Sequence, residues 1–264
     1  MSLRLEAACF NSTGKVRANN EDNFYFSDTT LEQENDGLLS PIYGMIEDDI
    51  VCFGVFDGMG GAEDGQVASH LAASSLKNDV FSANESAILS ETFFLEAVEH
   101  MNTAVYMEAE KQKNNMGTTA VMFGFDKSSV YVSNVGDSRA YRWRDGHLVQ
   151  ISMDHVAPIP AYEAKTRRKP YLSQCIGIPP DKLKLEPYFA RGTLQMGDIY
   201  LLCSDGLTDM VSESSIADCL CESKRIDVHA RQLVELALDN GGHDNVTVII
   251  IRVLECDQID SDDI

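Results

Sequence analysis

The chain has 264 residues and a formal charge of −21, from 21 basic and 42 acidic side chains. Hydrophobic residues make up 44%, enough for one large domain with a sizeable core and too many for a disordered chain. The acidity argues against a nucleic-acid or anionic-membrane surface, which would need basic patches; it suits solubility alone, or the binding of cations and basic partners.

Leu3–Phe10 and Asn23–Phe26 read as strands flanking a polar loop that contains Gly14. The acidic stretch 28–49, with Gly37, Pro41 and Gly44, reads as an irregular surface insertion. Ile50–Phe56 is a buried strand, and Gln66–Val80 a helix with Val67, Leu71 and Leu76 on one face. A longer helix is expected from about Glu85 to Lys113, with Phe94, Val98, Met101 and Val105 as its core stripe. Strands follow at Thr118–Phe125, Ser129–Asn134, Arg139–Arg144 and Leu148–Ile151, the last two joined by the hairpin signal Asp145-Gly146. Residues 153–172 are polar and proline-containing and read as a surface loop or short helix. The segment contains the basic cluster Lys165–Lys169. Asp198–Cys203 is a further buried strand. Helices are expected at Glu213–Leu220 and Val228–Asp239, the second capped by Asp227, and Val246–Leu254 is a closing strand. Residues 256–264 form an acidic tail. Strands in hairpin-like runs with helices grouped between them favour an antiparallel α+β arrangement over a doubly wound parallel sheet.

No apolar N-terminal segment resembling a secretion signal is present, and the most apolar run is far too short to span a bilayer. The seven cysteines are odd in number and lack C-x-x-C spacing. Cys52 and Cys203 lie within apolar runs, where cysteine behaves as a small hydrophobe, so a reducing cytoplasm and a monomeric chain are expected. A metal or redox role for Cys219 and Cys221 would rest on their proximity alone.

Three apolar strands meet acids in similar fashion. Strand alternation groups Asp57 with Val51, Phe53 and Val55, Asp205 with Ile199, Leu201 and Cys203, and Asp244 with Val246, Val248 and Ile250. Each acid lies beside Gly or Asn, in "FDGMGG", "CSDGLTD" and "GGHDNVTV". One reading makes them caps of three turns. The other gathers them at a shared site, where mutual repulsion is relieved by a hard divalent cation such as Mg²⁺ or Mn²⁺. Two such ions activate water for attack on phosphorus. Arg17, in "GKVRANNED", is suited to grip a phosphate with two parallel hydrogen bonds; the competing reading is a surface salt bridge with Glu21.

Together the motifs resemble the metal-dependent protein phosphatases of the 2C type, the bacterial branch in particular. The matching stretches are "GKVRANNED", "VFDGMGG", "MGTTA", "NVGDSRAYRWRDG", "SQCIGI", "LLCSDGLTD" and "HDNVTV", in the family's order from Gly14 to Val248. The resemblance implies one catalytic domain over residues 1–255, built as a four-layer α-β-β-α sandwich of two antiparallel sheets flanked by helices. It implies two, and up to three, Mn²⁺ or Mg²⁺ ions. Asp57 would bridge two of them, with the Gly58 carbonyl on one; Asp205 and Asp244 would bind the other, and Glu21 would contact that centre through water. Asp137 would join Asp205 at the third site, and Arg17 would hold the substrate phosphate. Asp22 matches the acid that accompanies Glu21. His155, in a family-like "DH" pair, is expected to be structural, and Cys203 a strand-core residue.

The implied reaction is one-step hydrolysis of phosphoserine or phosphothreonine by a metal-bridging hydroxide. Phosphorylated proteins would be the substrates, and the enzyme would oppose a serine/threonine kinase. A non-catalytic binding module on the same fold, and a phosphatase of a small metabolite, are the alternatives. Two departures stand out. Met59 occupies the place where eukaryotic relatives carry a histidine proposed as general acid, and a thioether cannot donate a proton. The substrate-selecting flap, 153–172, is shortened, and its basic run Arg167-Arg168-Lys169 is either a solvated charged face or a means of recruiting an acidic, phosphorylated substrate.

Overall fold

The structure, a computed structural model, describes residues 2–60, 64–83, 90–158 and 169–257. Gly61, the start of the second predicted helix, most of the basic cluster and the tail after residue 257 lie outside them.

Strands β1 (Arg4–Ser12), β2 (Asp22–Phe26), β3 (Ile42–Ile46) and β4 (Val51–Met59) lead into helices α1 (Asp64–Ser82) and α2 (Glu91–Gln112). A run of strands follows: β5 (Gly117–Thr118), β6 (Ala120–Phe125), β7 (Ser129–Val135), β8 (Arg139–Arg144), β9 (His147–Gln150), β10 (Tyr188–Thr193) and β11 (Ile199–Cys203). Helices α3 (Asp205–Thr208), α4 (Glu213–Cys221) and α5 (Ile226–Asp239) precede the last strand, β12 (Val246–Glu255). One sheet has the order β3-β1-β12-β11-β8-β9 and the other β10-β7-β6-β4-β2, with β5 pairing β4 beyond the end of β6. The pairings are antiparallel throughout, as the hairpin-like strand runs require.

Three layers of apolar packing define the sandwich. Between the sheets lie Leu5, Phe24, Phe53, Val55, Phe123, Tyr200, Leu202, Ile249 and Ile251. Outside the second sheet, Phe56 and Met122 pack on Leu76 of α1 and on Phe94, Val98 and Met101 of α2. Outside the first, Leu201, Val248 and Ile250 pack on Ile216, Leu233 and Val234 of the C-terminal helices. Central strands are therefore buried on both faces, and the unbroken run Val246–Ile251 reflects that. The four-layer α-β-β-α architecture is the one the sequence implied. The β8–β9 turn places both Asp145 (φ 51) and Gly146 (φ 79) in the left-handed region, the conformation that a two-residue hairpin demands.

Four local expectations need correction. The 28–49 segment is not wholly irregular, because β3 lies in it and extends the first sheet as an edge strand against β1. Strand β10 escaped sequence reading; it is an edge strand whose partial exposure blurs any alternation. Helix α5 starts at Ile226, with Arg225 at its N-cap position; Asp227 lies in the first turn, favourably placed against the helix dipole, and binds the Arg225 guanidinium. Finally, the three acid-bearing rows do not share one face. Phe53 and Val55 point into the inter-sheet core, whereas Leu201, Cys203, Val246, Val248 and Ile250 face the outer helices. Asp205 and Asp244 also lie just outside their strands, one opening α3 and the other two residues before β12.

Candidate metal centre

What unites the acids is the end of the sandwich from which they project. In antiparallel neighbours, the start of β2, the C-terminal part of β4, the entry to β8, the exit from β11 and the approach to β12 fall at the same end. Arg17, Glu21, Asp57, Gly58, Asp137, Asp205 and Asp244 line one cavity of about 340 Å³ there, with Met59, Thr119, Lys169 and Tyr171. Every site residue singled out from the sequence is thus brought together.

Backbone contacts build the cavity floor. The Asp57 carbonyl accepts from the Thr119 amide (2.9 Å) and the Thr118 hydroxyl (2.9 Å), and the Asp57 amide donates to Thr119 Oγ1 (3.1 Å). Thr119 Oγ1 also meets Ser138 Oγ at 2.6 Å. The "MGTTA" stretch therefore locks the strand that carries Asp57 and links it to the turn bearing Asp137. Gly58 donates its amide to the Glu21 carbonyl at 3.1 Å. A Cβ on Gly58 would lie 2.0 Å from the Gly65 carbonyl oxygen and 2.5 Å from that of Glu21, so only glycine permits this approach. Gly206 is equally confined, its notional Cβ being 1.9 Å from the Asn245 carbonyl oxygen.

Asn245 and Thr247 were not singled out from sequence, although they lie in the "HDNVTV" motif. Asn245 Oδ1 accepts from the Glu21 amide (2.7 Å), and its Nδ2 donates to the carbonyls of Thr13 and Asn19 (both 2.9 Å). It clamps the Arg17 loop over the site. The Lys15 amide adds a bond to the Gly242 carbonyl at 2.8 Å. Arg17 Nη2 then reaches Asp244 Oδ2 at 2.7 Å, so the ion pair it forms is with Asp244 and not with Glu21.

Asp22 is buried beneath the cavity. Its Oδ2 accepts from Ser204 Oγ (2.7 Å) and Thr247 Oγ1 (2.6 Å). The Ser204 hydroxyl, at the N-cap position of α3, makes no cap bond and serves this carboxylate instead. His155 is buried and accepts the Gly136 amide at Nδ1 (3.2 Å), while its own amide donates to the Gly136 carbonyl (2.9 Å). Burial holds the imidazole below its ordinary pKa, and it shapes the turn before Asp137 as expected of a structural residue. Cys203 is fully buried among the apolar residues against α3–α5.

The electrostatics are those of acids crowded together. Burial, followed by repulsion from Asp22, Asp244 and Asp137, pushes Asp57 well above the usual carboxylate range. Burial likewise raises Asp22 to about 7, against the opposing effect of its two hydroxyl donors. Glu21 is raised by burial, partly offset by Arg17. Lys169 would be lowered by its burial, but the Asp137 and Asp209 carboxylates more than compensate.

Among the described residues, no three His, Cys, Asp or Glu side chains converge as a closed ligand set; the carboxylates turn instead toward Arg17 and Lys169. The donor set nevertheless fits hard divalent cations. Five carboxylates line the cavity against two basic side chains, and no His or Cys is among the lining residues. The repulsion that raises Asp57 is the cost that such an ion removes.

Residues 11–159, more than half of the chain, match the protein phosphatase 2C family model. The chain is 30% identical to the serine/threonine protein phosphatase PstP of Mycobacterium tuberculosis over 97% of its own length and 46% of that protein's, so it spans about half of that relative. It is 32% identical to the serine/threonine phosphatase stp of Listeria welshimeri, covering 75% of this chain and 82% of the relative. Among solved structures, the catalytic domain of PstP in complex with two manganese ions superposes with a TM-score of 0.76 at 31% identity, covering 96% of this chain and all of that one. Fold, motif order and relatives agree: the chain belongs to the protein phosphatase 2C family.

Proposed function

We propose that this protein is a metal-dependent serine/threonine protein phosphatase. The observation that carries the reading is the cavity in which Glu21, Asp57, Gly58, Asp137, Asp205 and Asp244 surround one another with Arg17 at the rim. A non-catalytic module would have no need to keep five mutually repelling acids at one point. In this reading Asp57, the Gly58 carbonyl, Asp205 and Asp244 would hold the Mn²⁺ or Mg²⁺ ions, Glu21 would act on them through water, and Asp137 would join Asp205 in holding a further ion.

The ions, when bound, would supply positive charge at the phosphoryl oxygens and lower the pKa of the attacking water. The chain's own residues do the rest. Arg17, half-exposed and held near Asp244, is placed to take the substrate phosphate by a two-pronged contact. The buried hydroxyls of Ser204 and Thr247 hold Asp22 under the site. Met59 lines the cavity and has no proton to give, so it does not protonate the leaving alkoxide.

The names of the mycobacterial and listerial relatives support phosphorylated proteins as substrates; in this reading the enzyme opposes a serine/threonine kinase. The cysteines are free, which suits the expected reducing cytoplasm, and the protein is read as acting as a monomer. Among the described residues, no helix is long and apolar enough to cross a membrane.

The test is turnover of a phosphothreonine peptide library and of a panel of phosphorylated metabolites, with Mn²⁺ and with chelator, alongside Asp57→Asn. Peptide hydrolysis that needs Mn²⁺ and is lost in Asp57→Asn is the expected result. Full activity of metal-stripped protein, or turnover confined to metabolites, would overturn the proposal.

A further inference from the structure

In sequence, Lys169 ends a basic cluster in a polar segment. In the structure it is inserted into the acidic cavity. Its Nζ lies 3.0 Å from Asp137 Oδ2 and 3.4 Å from Asp209 Oδ2, and it also contacts Asp205 Oδ2. An ammonium has three N–H donors and no acceptor, and here three carboxylates meet it. Asp137 and Asp205 are largely buried, their side chains being only 10% and 18% exposed. A single unit charge held among three acids at one point acts there as a cation would.

The two basic side chains of the cavity pair with different acids. Arg17 pairs with Asp244, and Lys169 with Asp137, Asp205 and the neighbouring Asp209. Glu21 and Asp57, which also line the cavity, form an ion pair with neither. This division matters for cation binding. Asp137 and Asp205 are the pair assigned above to a third ion, and an ammonium already seated between them must be displaced before such an ion can bind. Its charge also repels a cation arriving next to it. Lys is suited to this role: its charge is compact and its stem flexible, so it can enter and leave a site that a planar guanidinium would fill differently.

We propose that Lys169 is a built-in counter-ion that occupies the Asp137–Asp205–Asp209 corner, competes there with a divalent cation, and so limits how many ions the centre holds. The inference rests on the metal-centre reading above. It adds a role for this chain's own residue: the weakest cation site is set by a lysine in competition with the metal.

The experiment is calorimetric titration of the metal-stripped protein with Mn²⁺ alone, for wild type, Lys169→Met, Lys169→Arg and the double variant Lys169→Met/Asp137→Asn. Thermal melting of each, with and without Mn²⁺, provides a second readout independent of turnover. Lys169→Met is expected to gain an ion, or to bind its weakest ion at least tenfold more tightly. Lys169→Arg, which keeps a positive charge at the corner, should show no such gain, and the double variant should lose it. The metal-free Lys169→Met protein should melt at lower temperature and recover more on Mn²⁺ addition. Coincident isotherms for wild type and Lys169→Met would overturn the inference while leaving the metal centre intact. Absence of Mn²⁺ binding by all four proteins would overturn the metal centre itself, and this inference with it.

Discussion

Asp22 and Asp57 face each other directly across β2 and β4. Both belong to the rows that point between the sheets, Asp22 with Phe24 and Phe26 and Asp57 with Phe53 and Val55. The apolar interior therefore ends in two opposed carboxylates, an arrangement that destabilises a sheet when both are charged.

This pair gives the metal-free protein a characteristic pH dependence. Asp22 is raised from 3.8 to about 7, and Asp57 is raised in the same direction. Between those values the folded state holds a proton that the unfolded chain has released. Stability should therefore be greatest below pH ~4 for these groups and fall as pH rises toward ~7. The contribution of Asp22 has an upper limit of about 4 kcal/mol. Urea unfolding in chelator from pH 4 to 8 should show Asp22→Asn with a flatter profile than wild type; parallel profiles would count against the pairing. Mn²⁺ should invert the trend, stabilising more as pH rises, because it competes with these protons.

Arg17→Ala should lower kcat/KM by roughly 10²-fold, the scale of losing one charge-stabilising donor. Arg17→Lys should recover little of it, since an ammonium lacks the planar fork. Stability should change by less than about 1 kcal/mol, because the pair with Asp244 is substantially solvent-exposed. Equal activity of Arg17→Lys and wild type in steady-state assays would remove the two-pronged contact from the reading.

Gly58→Ala tests the close approach under the site. The added methyl would meet two backbone carbonyls that cannot swing aside, so a loss of roughly 1–3 kcal/mol is expected. Because one of those carbonyls belongs to Glu21, Mn²⁺ affinity should fall as well. A variant with wild-type melting temperature and wild-type Mn²⁺ titration would show that the strand yields there.

Far from the cavity, Asp198 is almost fully buried and is held by Arg144 Nε at 2.6 Å and Nη2 at 2.5 Å, by the Tyr200 hydroxyl at 3.0 Å and by the Gln195 amide at 2.9 Å. Arg144→Ala would strand that carboxylate beneath the sheet and should cost about 3–5 kcal/mol. Adding Asp198→Asn should restore part of the loss in denaturant titrations. If the double variant is no better than Arg144→Ala, lost packing rather than stranded charge is the cause.

The acids that line the site were legible in the sequence because chemistry constrains them locally. An aspartate at the end of an apolar strand, followed by glycine, is unusual enough to notice at residues 57 and 205, and the ordered motifs joined those positions to Glu21, Asp137 and Asp244. Helices α1, α2, α4 and α5 were legible from their apolar spacing. Edge strands were not: β3 and β10 are only partly buried, so neither carries a clean alternation. Asn245, Ser204 and Thr247 were also hidden, because a polar side chain that satisfies a buried backbone or carboxylate looks in sequence like any loop residue.

The sequence by itself determined an antiparallel α+β fold, its family, and the carboxylates that line the cavity. These follow from periodicity and from motifs whose residues are neighbours along the chain. Only the tertiary structure decided how those carboxylates come together. Asp57 continues the inter-sheet row of β4, whereas Asp205 and Asp244 lie beyond the ends of β11 and β12, so no shared strand parity unites them; the common end of an antiparallel sandwich does. The pairing of Arg17 with Asp244, the burial of Asp22 against Ser204 and Thr247, and the entry of Lys169 among Asp137, Asp205 and Asp209 are likewise tertiary facts. Each joins residues distant along the chain, 227 positions for Arg17 and Asp244 and 182 and 225 for Asp22 with Ser204 and Thr247, and the energy of a charge depends on which other charges the fold sets beside it.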